Sequence, residues 1–252
     1  MAKIFSSLKY IFEVIFFVLL MIISIMFFVA SIDNMMIQSE VKKFISSAVF
    51  EKEENDICYY YVSTNDLETH SIIKDPDNGY NVVLGDVGDI FIMPQSRMDV
   101  ILFSEQFITY LFGGHAGIVK NQSLIIEAMG AGGQDYIESN YTDLLNEERT
   151  VIGLRTSASY EERVRAVKNA ETLIGKKYNY LFIFDTIDKY YCTDLCSRVY
   201  GKEFGMEYKF DTNGFHVSCQ DLIKAKETRI SFVKIVKDDK LHIYYLKNES
   251  EK

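Results

Sequence analysis

The chain has 252 residues, 48% hydrophobic and 25% charged, with 14 glycines and 2 prolines. This balance excludes a disordered chain and a fibrous one. With 27 basic against 36 acidic residues the net charge is −9, which excludes nucleic acid as the main partner, because phosphate binding needs a basic footprint.

From Ile11 to Ala30 the sequence IFEVIFFVLLMIISIMFFVA is apolar except for Glu13 and Ser24. Twenty helical residues extend about 30 Å, the thickness of a bilayer core. The run is longer than the apolar region of a cleaved signal peptide, and Val29-Ala30-Ser31 is a poor cleavage site, so an uncleaved membrane-spanning helix over residues 11–31 is expected. Lys3 and Lys9 precede the span and Asp33 follows it. By the positive-inside rule the N-terminus is cytoplasmic and residues from about 33 onward lie outside the cell membrane. Without Lys3, Lys9 and Glu13, residues 33–252 carry 25 basic and 35 acidic groups, net −10, a body not built to adhere to an anionic surface.

Residues 35–48 read as a short amphipathic helix continuing from the span, and the charged residues 51–56 as a linker. Strands are expected in DICYYYVS (56–63), in a hairpin around Asp75-Pro76-Asp77-Asn78-Gly79, and in DIFIM after Gly88. Residues 98–112 read as a helix, with a buried strand pair as the alternative. HAGIV and LIIEAM, on either side of Lys120-Asn121-Gln122-Ser123, make a second hairpin, and TVIGLR (150–155) a further strand. Ser159 to Ile174 has the strongest helical pattern: a Ser159/Glu162 capping box, apolar residues at helical spacing, and Gly175 to end it. A shorter helix runs from Cys192 to Tyr200, and ISFVKIV and LHIYYL are terminal strands. Strands and helices mix without regular alternation, so the fold class is α+β with a mainly antiparallel sheet.

The chemistry-bearing residues are few: Cys58, Cys192, Cys196 and Cys219, with His70, His115, His216 and His242. Cys192 and Cys196 share one helix face at a spacing poor for a disulfide. They also lack the close paired-ligand spacing of a zinc site, so no metal or cofactor is expected. The other chemistry open to these residues is a cysteine nucleophile with a histidine base. Cys192 begins a helix, where unpaired N–H groups favour a thiolate, and His115 begins a strand after Gly113-Gly114.

Five segments sharpen that choice. VGDIFIM (87–93), GGHAGIV (113–119), LIIEA (124–128), LIGKKYNYLF (173–182) and YYCTDLCSRVY (190–200) occur in this order. Together, over roughly residues 85–225, they resemble the YiiX-like cysteine hydrolases, a permuted branch of the NlpC and papain-fold superfamily with lecithin retinol acyltransferase-like relatives. The resemblance implies a permuted papain-like (NlpC-type) sheet packed on helices. It implies Cys192 as nucleophile, His115 as base and Glu127 as the group that orients the imidazole. Thr193 and Asp194 depart from the usual Ser and Glu, and Cys219 stands where proline is common.

On this reading residues 1–32 are an anchor, 33–56 a helical linker and 57–252 the hydrolase domain. The partners are the lipid bilayer, through residues 11–31, and a peptidoglycan peptide or a lipid acyl group as substrate. A catalytically inactive binding module on a membrane stalk is the non-enzymatic alternative. Strand parity adds a geometric condition: His115 and Glu127 share a sheet face only if the hairpin loop between them is odd in length or bulged.

Overall fold

The computed structural model describes residues 2–54, 56–65, 85–94, 114–121, 124–129, 136–140, 150–180, 188–210 and 216–248. The hairpin expected around Asp75–Gly79 and the segment 98–112 lie outside them.

The apolar run belongs to one uninterrupted helix, α1 (Ala2–Ser46). It is the one helix among the described residues that is long and apolar enough to cross a membrane. From Ile11 to Val29 its large apolar side chains are exposed, apart from the half-buried Met26. Burial begins at Ala30, 9% exposed, and continues at Ile37 and Val41. These positions lie seven and then four residues apart and form one helical stripe. The expected helix over 35–48 is thus the upper part of the same rod.

Strands β1 (Val49–Glu54) and β2 (Ile57–Thr64) follow. β1 corrects the reading of 51–56 as a linker: its residues pair antiparallel with β2 from Val49↔Tyr61 to Glu54↔Ile57. The segment looked like a linker because it is an edge strand, and edges carry charge to block further pairing. Its acids also find partners within the sheet: Glu53 meets Lys240, Glu51 meets Lys247, and Tyr245 donates to Glu51.

The remaining strands are β3 (Ile90–Met93), β4 (His115–Val119), β5 (Leu124–Ala128), β6 (Tyr136–Asn140) and β7 (Val151–Thr156), the short pair β8 (Lys177–Tyr178) and β9 (Lys189–Tyr190), and β10 (Thr228–Lys237) and β11 (Lys240–Asn248). The helices are α2 (Tyr160–Thr172), α3 (Cys192–Arg198) and α4 (Cys219–Lys224). Among the described residues nine strands form one sheet in the order β1-β2-β11-β10-β7-β3-β4-β5-β6. Within it only β2 and β11 pair in parallel. The protein is therefore α+β with a mainly antiparallel sheet, as expected.

The central strands are buried on both faces. Ile90, Ile92, Ala116, Ile118, Ile126, Ile152 and Leu154 pack with Ala166, Val167 and Ala170 of α2 and Leu195, Cys196 and Val199 of α3. The alternate residues Phe91, Met93, Val119, Ile125 and Val151 form a second cluster with Phe232 and Ile243. Helix α2 starts as its sequence dictates: Ser159 and Glu162 form the reciprocal capping box, and Gly175 follows the last turn at φ +86°. The Gly88-Asp89 turn before β3 is held from several sides. Asp89 accepts from Arg155 Nη2 at 2.9 Å and from the Asp86 N–H at 2.8 Å, Asp86 accepts from Arg163, and Tyr200 Oη donates to Gly88 O. The buried Asp89–Arg155 pair fixes β3 to β7, and β3 in turn sets the position of β4.

Candidate active site

The hairpin β4–β5 is assembled first. Its register is Gly117↔Glu127, Ile118↔Ile126 and Val119↔Ile125. The Lys120 N–H donates to Leu124 O, which leaves an odd number of residues between this pair, and Asn121 Oδ1 accepts from the Leu124 N–H. The loop is odd, so His115 and Glu127 fall on one face as diagonal neighbours. The geometry follows: His115 Nε2 and Glu127 Oε2 are 2.6 Å apart, with His115 buried and Glu127 fully so.

Two glycines permit this. A Cβ on Gly117 would lie 3.3 Å from the Glu127 Cβ, in the space through which the carboxylate reaches the ring. A Cβ on Gly114 would lie 2.3 Å from Met93 O. Gly114 therefore serves the close approach of β4 to β3, where Met93 pairs with His115.

Cys192 comes from the other side, as the first residue of α3, which packs across β4 and β5. The residues around it clip this helix to the segment before α4. Thr193 Oγ1 donates to Val217 O at 2.6 Å, and the Val217 N–H donates to Tyr191 Oη at 2.9 Å. Thr193, one departure from the usual motif, thus has a structural task. Asp194, the other, is buried beside Arg198 Nη1 at 3.4 Å. Cys219, in the usual proline position, opens α4, where a proline would also be accommodated. Its Sγ lies 4.0 Å from His115 O.

His115 joins the two halves. Its Nε2 faces Glu127, and the same ring hydrogen-bonds with Cys192. Burial pulls the His115 pKa down, but the Cys192 thiolate and the Glu127 carboxylate outweigh it and raise it to about 10. Burial pushes the Cys192 thiol up, but the His115 imidazolium outweighs it, helped by hydrogen bonds from the backbone N–H groups of Ala116 and Thr193, and the pKa is lowered. Both shifts favour the thiolate–imidazolium pair, the reactive form of a cysteine nucleophile. The other cysteines near it are not activated: burial and the adjacent Cys192 charge push Cys196 and Cys219 well up. All four cysteines are unbridged.

Sequence reasoning missed one polar group. The Tyr178 hydroxyl hydrogen-bonds with Cys192, and burial followed by the Cys192 charge raises its pKa. Tyr178 is buried in β8, while its neighbour Tyr180 stacks edge-on against it at 4.9 Å and is 58% exposed. Its signal was in the LIGKKYNYLF segment, which reads as apolar core when its phenol is counted only as a hydrophobe.

Residues 87–216, just over half of the chain, match the family model Peptidase_C92, described as the permuted papain-like amidase enzymes YaeF/YiiX. His115, Glu127 and Cys192 all lie within the matched region. None of the curated proteins matches the chain.

Proposed function

We propose, from the premise that this chain belongs to the C92 family of permuted papain-like amidases, that it is a membrane-anchored thiol amidase acting through a Cys192–His115–Glu127 triad. The observation that carries the reading is the His115 ring, held by Glu127 at Nε2 and hydrogen-bonded to Cys192. An inactive binding module would have no use for a thiolate stabilised at this cost of burial.

The thiolate attacks the amide carbonyl carbon, forming a C–S bond. The Tyr178 hydroxyl and the backbone N–H groups beside the sulfur are the donors for the oxyanion. The imidazolium proton passes to the leaving nitrogen, and the C–N bond breaks. His115, now neutral, takes a proton from water, whose oxygen attacks the thioester. The C–S bond breaks, and thiolate and imidazolium are restored. Glu127 fixes the tautomer and the ring plane throughout.

In this reading residues 11–31 span the bilayer, the body lies outside, and the substrate class is a cell-wall (peptidoglycan) peptide amide. The division into anchor (1–32), coupling segment (33–56) and hydrolase domain (57–252) goes with it. The test is to incubate the full-length chain, and its Cys192→Ala form, with muropeptides and with phospholipids, and to read products by mass spectrometry. New amine and carboxylate termini that depend on Cys192 support the reading. Products identical with and without the thiol overturn it.

A further inference from the structure

The way α1 joins the body sets the height of the catalytic sulfur above the bilayer. The helix is continuous from the apolar run to Ser46, so nothing in its backbone acts as a stalk or hinge. Burial begins at Ala30, within the last apolar turn, so the folded body comes down to the edge of the span. The next charged residue is Asp33, half-buried and within electrostatic reach of His216 and Asp221.

Helix α4 carries this contact to the active site. Its C-terminal Lys224 Nζ touches Met36 Sδ at 3.9 Å, further up α1, whereas its first residue, Cys219, feels the Asp33 charge. The N-terminal end of α4 is therefore the end nearer the membrane. Cys219 Sγ lies 4.0 Å from His115 O and within electrostatic reach of Cys192. Cys219 thus lies against the backbone of His115 and within electrostatic reach of the first charged residue beyond the apolar run. An aspartate after a twenty-residue apolar run stands at the headgroup layer, the outer ~5–7 Å on each side of the bilayer.

We infer that the substrate is an amide borne by a molecule that is itself anchored in the bilayer, presented to Cys192 at headgroup depth. The inference rests on the thiol-amidase reading and replaces its free cell-wall peptide by a membrane-held amide. A free wall peptide gains nothing from a site held this low. A membrane-held amide gains a high local concentration and a fixed approach height. Two sources share this chemistry: an N-acyl amide whose carbonyl lies at the interface, and a short peptide on a lipid anchor.

The test uses the full chain in phosphatidylcholine nanodiscs and a chloroacetamide electrophile in four forms: soluble, attached directly to a palmitoyl chain, carried on a tetrapeptide above a dialkyl lipid, and carried on the same lipid by a long polyethylene glycol spacer. Cys192 alkylation is read by mass spectrometry. The directly attached or the tetrapeptide form is expected to label at least about tenfold faster than the soluble form at equal bulk concentration, and whichever is faster identifies the source. In a second protein, a polar helical heptad inserted between Val29 and Ala30 lifts the body by about 10 Å with little change of helical phase. There the short-tether advantage should collapse and the long spacer should gain, with soluble labelling unchanged. Equal labelling by soluble and tethered forms, or no response to the heptad, overturns the inference while the thiol-amidase reading stands. Failure of Cys192 to outpace Cys58 with any probe overturns both.

Discussion

Glu127 reaches His115 along a diagonal of the β4–β5 hairpin, because the residue directly opposite it is Gly117. A direct pair would have set the carboxylate beside the strand backbone at the same level as the ring. The diagonal lets it approach Nε2 through the space that a side chain on residue 117 would fill. Glu127→Gln retains the shape and removes the charge. Part of what raises the His115 pKa to about 10 is then lost, so the imidazolium should deprotonate at lower pH and the alkaline limit of activity should move down. A fall in kcat/KM of roughly 10²–10⁴ is expected, by analogy with loss of the orienting acid in serine triads. A pH–rate profile that is unchanged in both height and position would remove Glu127 from the triad.

The same hairpin supplies a test by register. Deleting one residue from the 121–123 turn makes the loop even and throws Glu127 to the opposite face. Gly117→Val fills the diagonal space while leaving the register alone. Both should lower turnover at least about a hundredfold, as displaced catalytic groups do. Circular dichroism on each variant separates loss of geometry from loss of fold. Full activity in the deletion variant would mean that the diagonal contact is dispensable.

Cysteine reactivity gives the sign of the site's electrostatics. Cys192 is lowered by the His115 imidazolium, so its alkylation should already be fast below the ordinary thiol range near 8.5. The rate should fall at acid pH as the thiolate takes a proton. It should change again near 10 as the imidazolium is lost. In His115→Ala the favourable charge is gone and burial remains, so the Cys192 profile should move to higher pH. Cys196 and Cys219, raised by burial, should stay inert in the folded protein. An iodoacetamide series with peptide mapping checks all four cysteines, and fastest reaction at Cys58 or Cys219 near pH 7 would defeat the activation argument.

Much of this site was legible because it rests on local rules. The apolar run, the Ser159/Glu162 capping box and the parity condition on residues 115 and 127 follow from spacing alone, and each has its counterpart in the structure. What was not legible depends on distant partners. The charged residues of β1 read as a linker because their pairing with β2 and their ion pairs with Lys240 and Lys247 join opposite ends of the chain. Residues 35–48 read as an amphipathic continuation of the span, and the fold shows that Ile37 and Val41 join the core also built by α4 and β10, almost two hundred residues on. Tyr178 carried no pattern that distinguishes a phenol aimed at a sulfur from one filling a core.

Tyr178 itself can be tested by removing one atom. Tyr178→Phe keeps the buried ring and its edge contact with Tyr180 but loses the hydroxyl that hydrogen-bonds with Cys192. A donor used on the transition-state oxyanion should cost about 10²–10³ in kcat with little change in KM. A hydroxyl that only steadies the resting thiolate would instead shift the alkylation profile and leave kcat within a few-fold. Wild-type values on both measurements would leave the phenol without a catalytic task.

Lys3 and Lys9 before the proposed span and Asp33 after it predict the side of the membrane on which the body lies. The bias is two lysines and the α-amine, and the positive-inside rule counts such charges within short flanks. The body outside is therefore the expected topology, and it is the one compatible with an amide substrate in the outer leaflet or wall. A cysteine appended after Lys252 in a variant lacking the four native cysteines reports it directly. A membrane-impermeant maleimide should label intact cells as completely as permeabilised ones. Labelling that requires permeabilisation would place the body in the cytoplasm. Moving Lys3 and Lys9 to positions 34 and 38 should then weaken or invert the labelling difference, since the charge bias that sets the orientation is reversed.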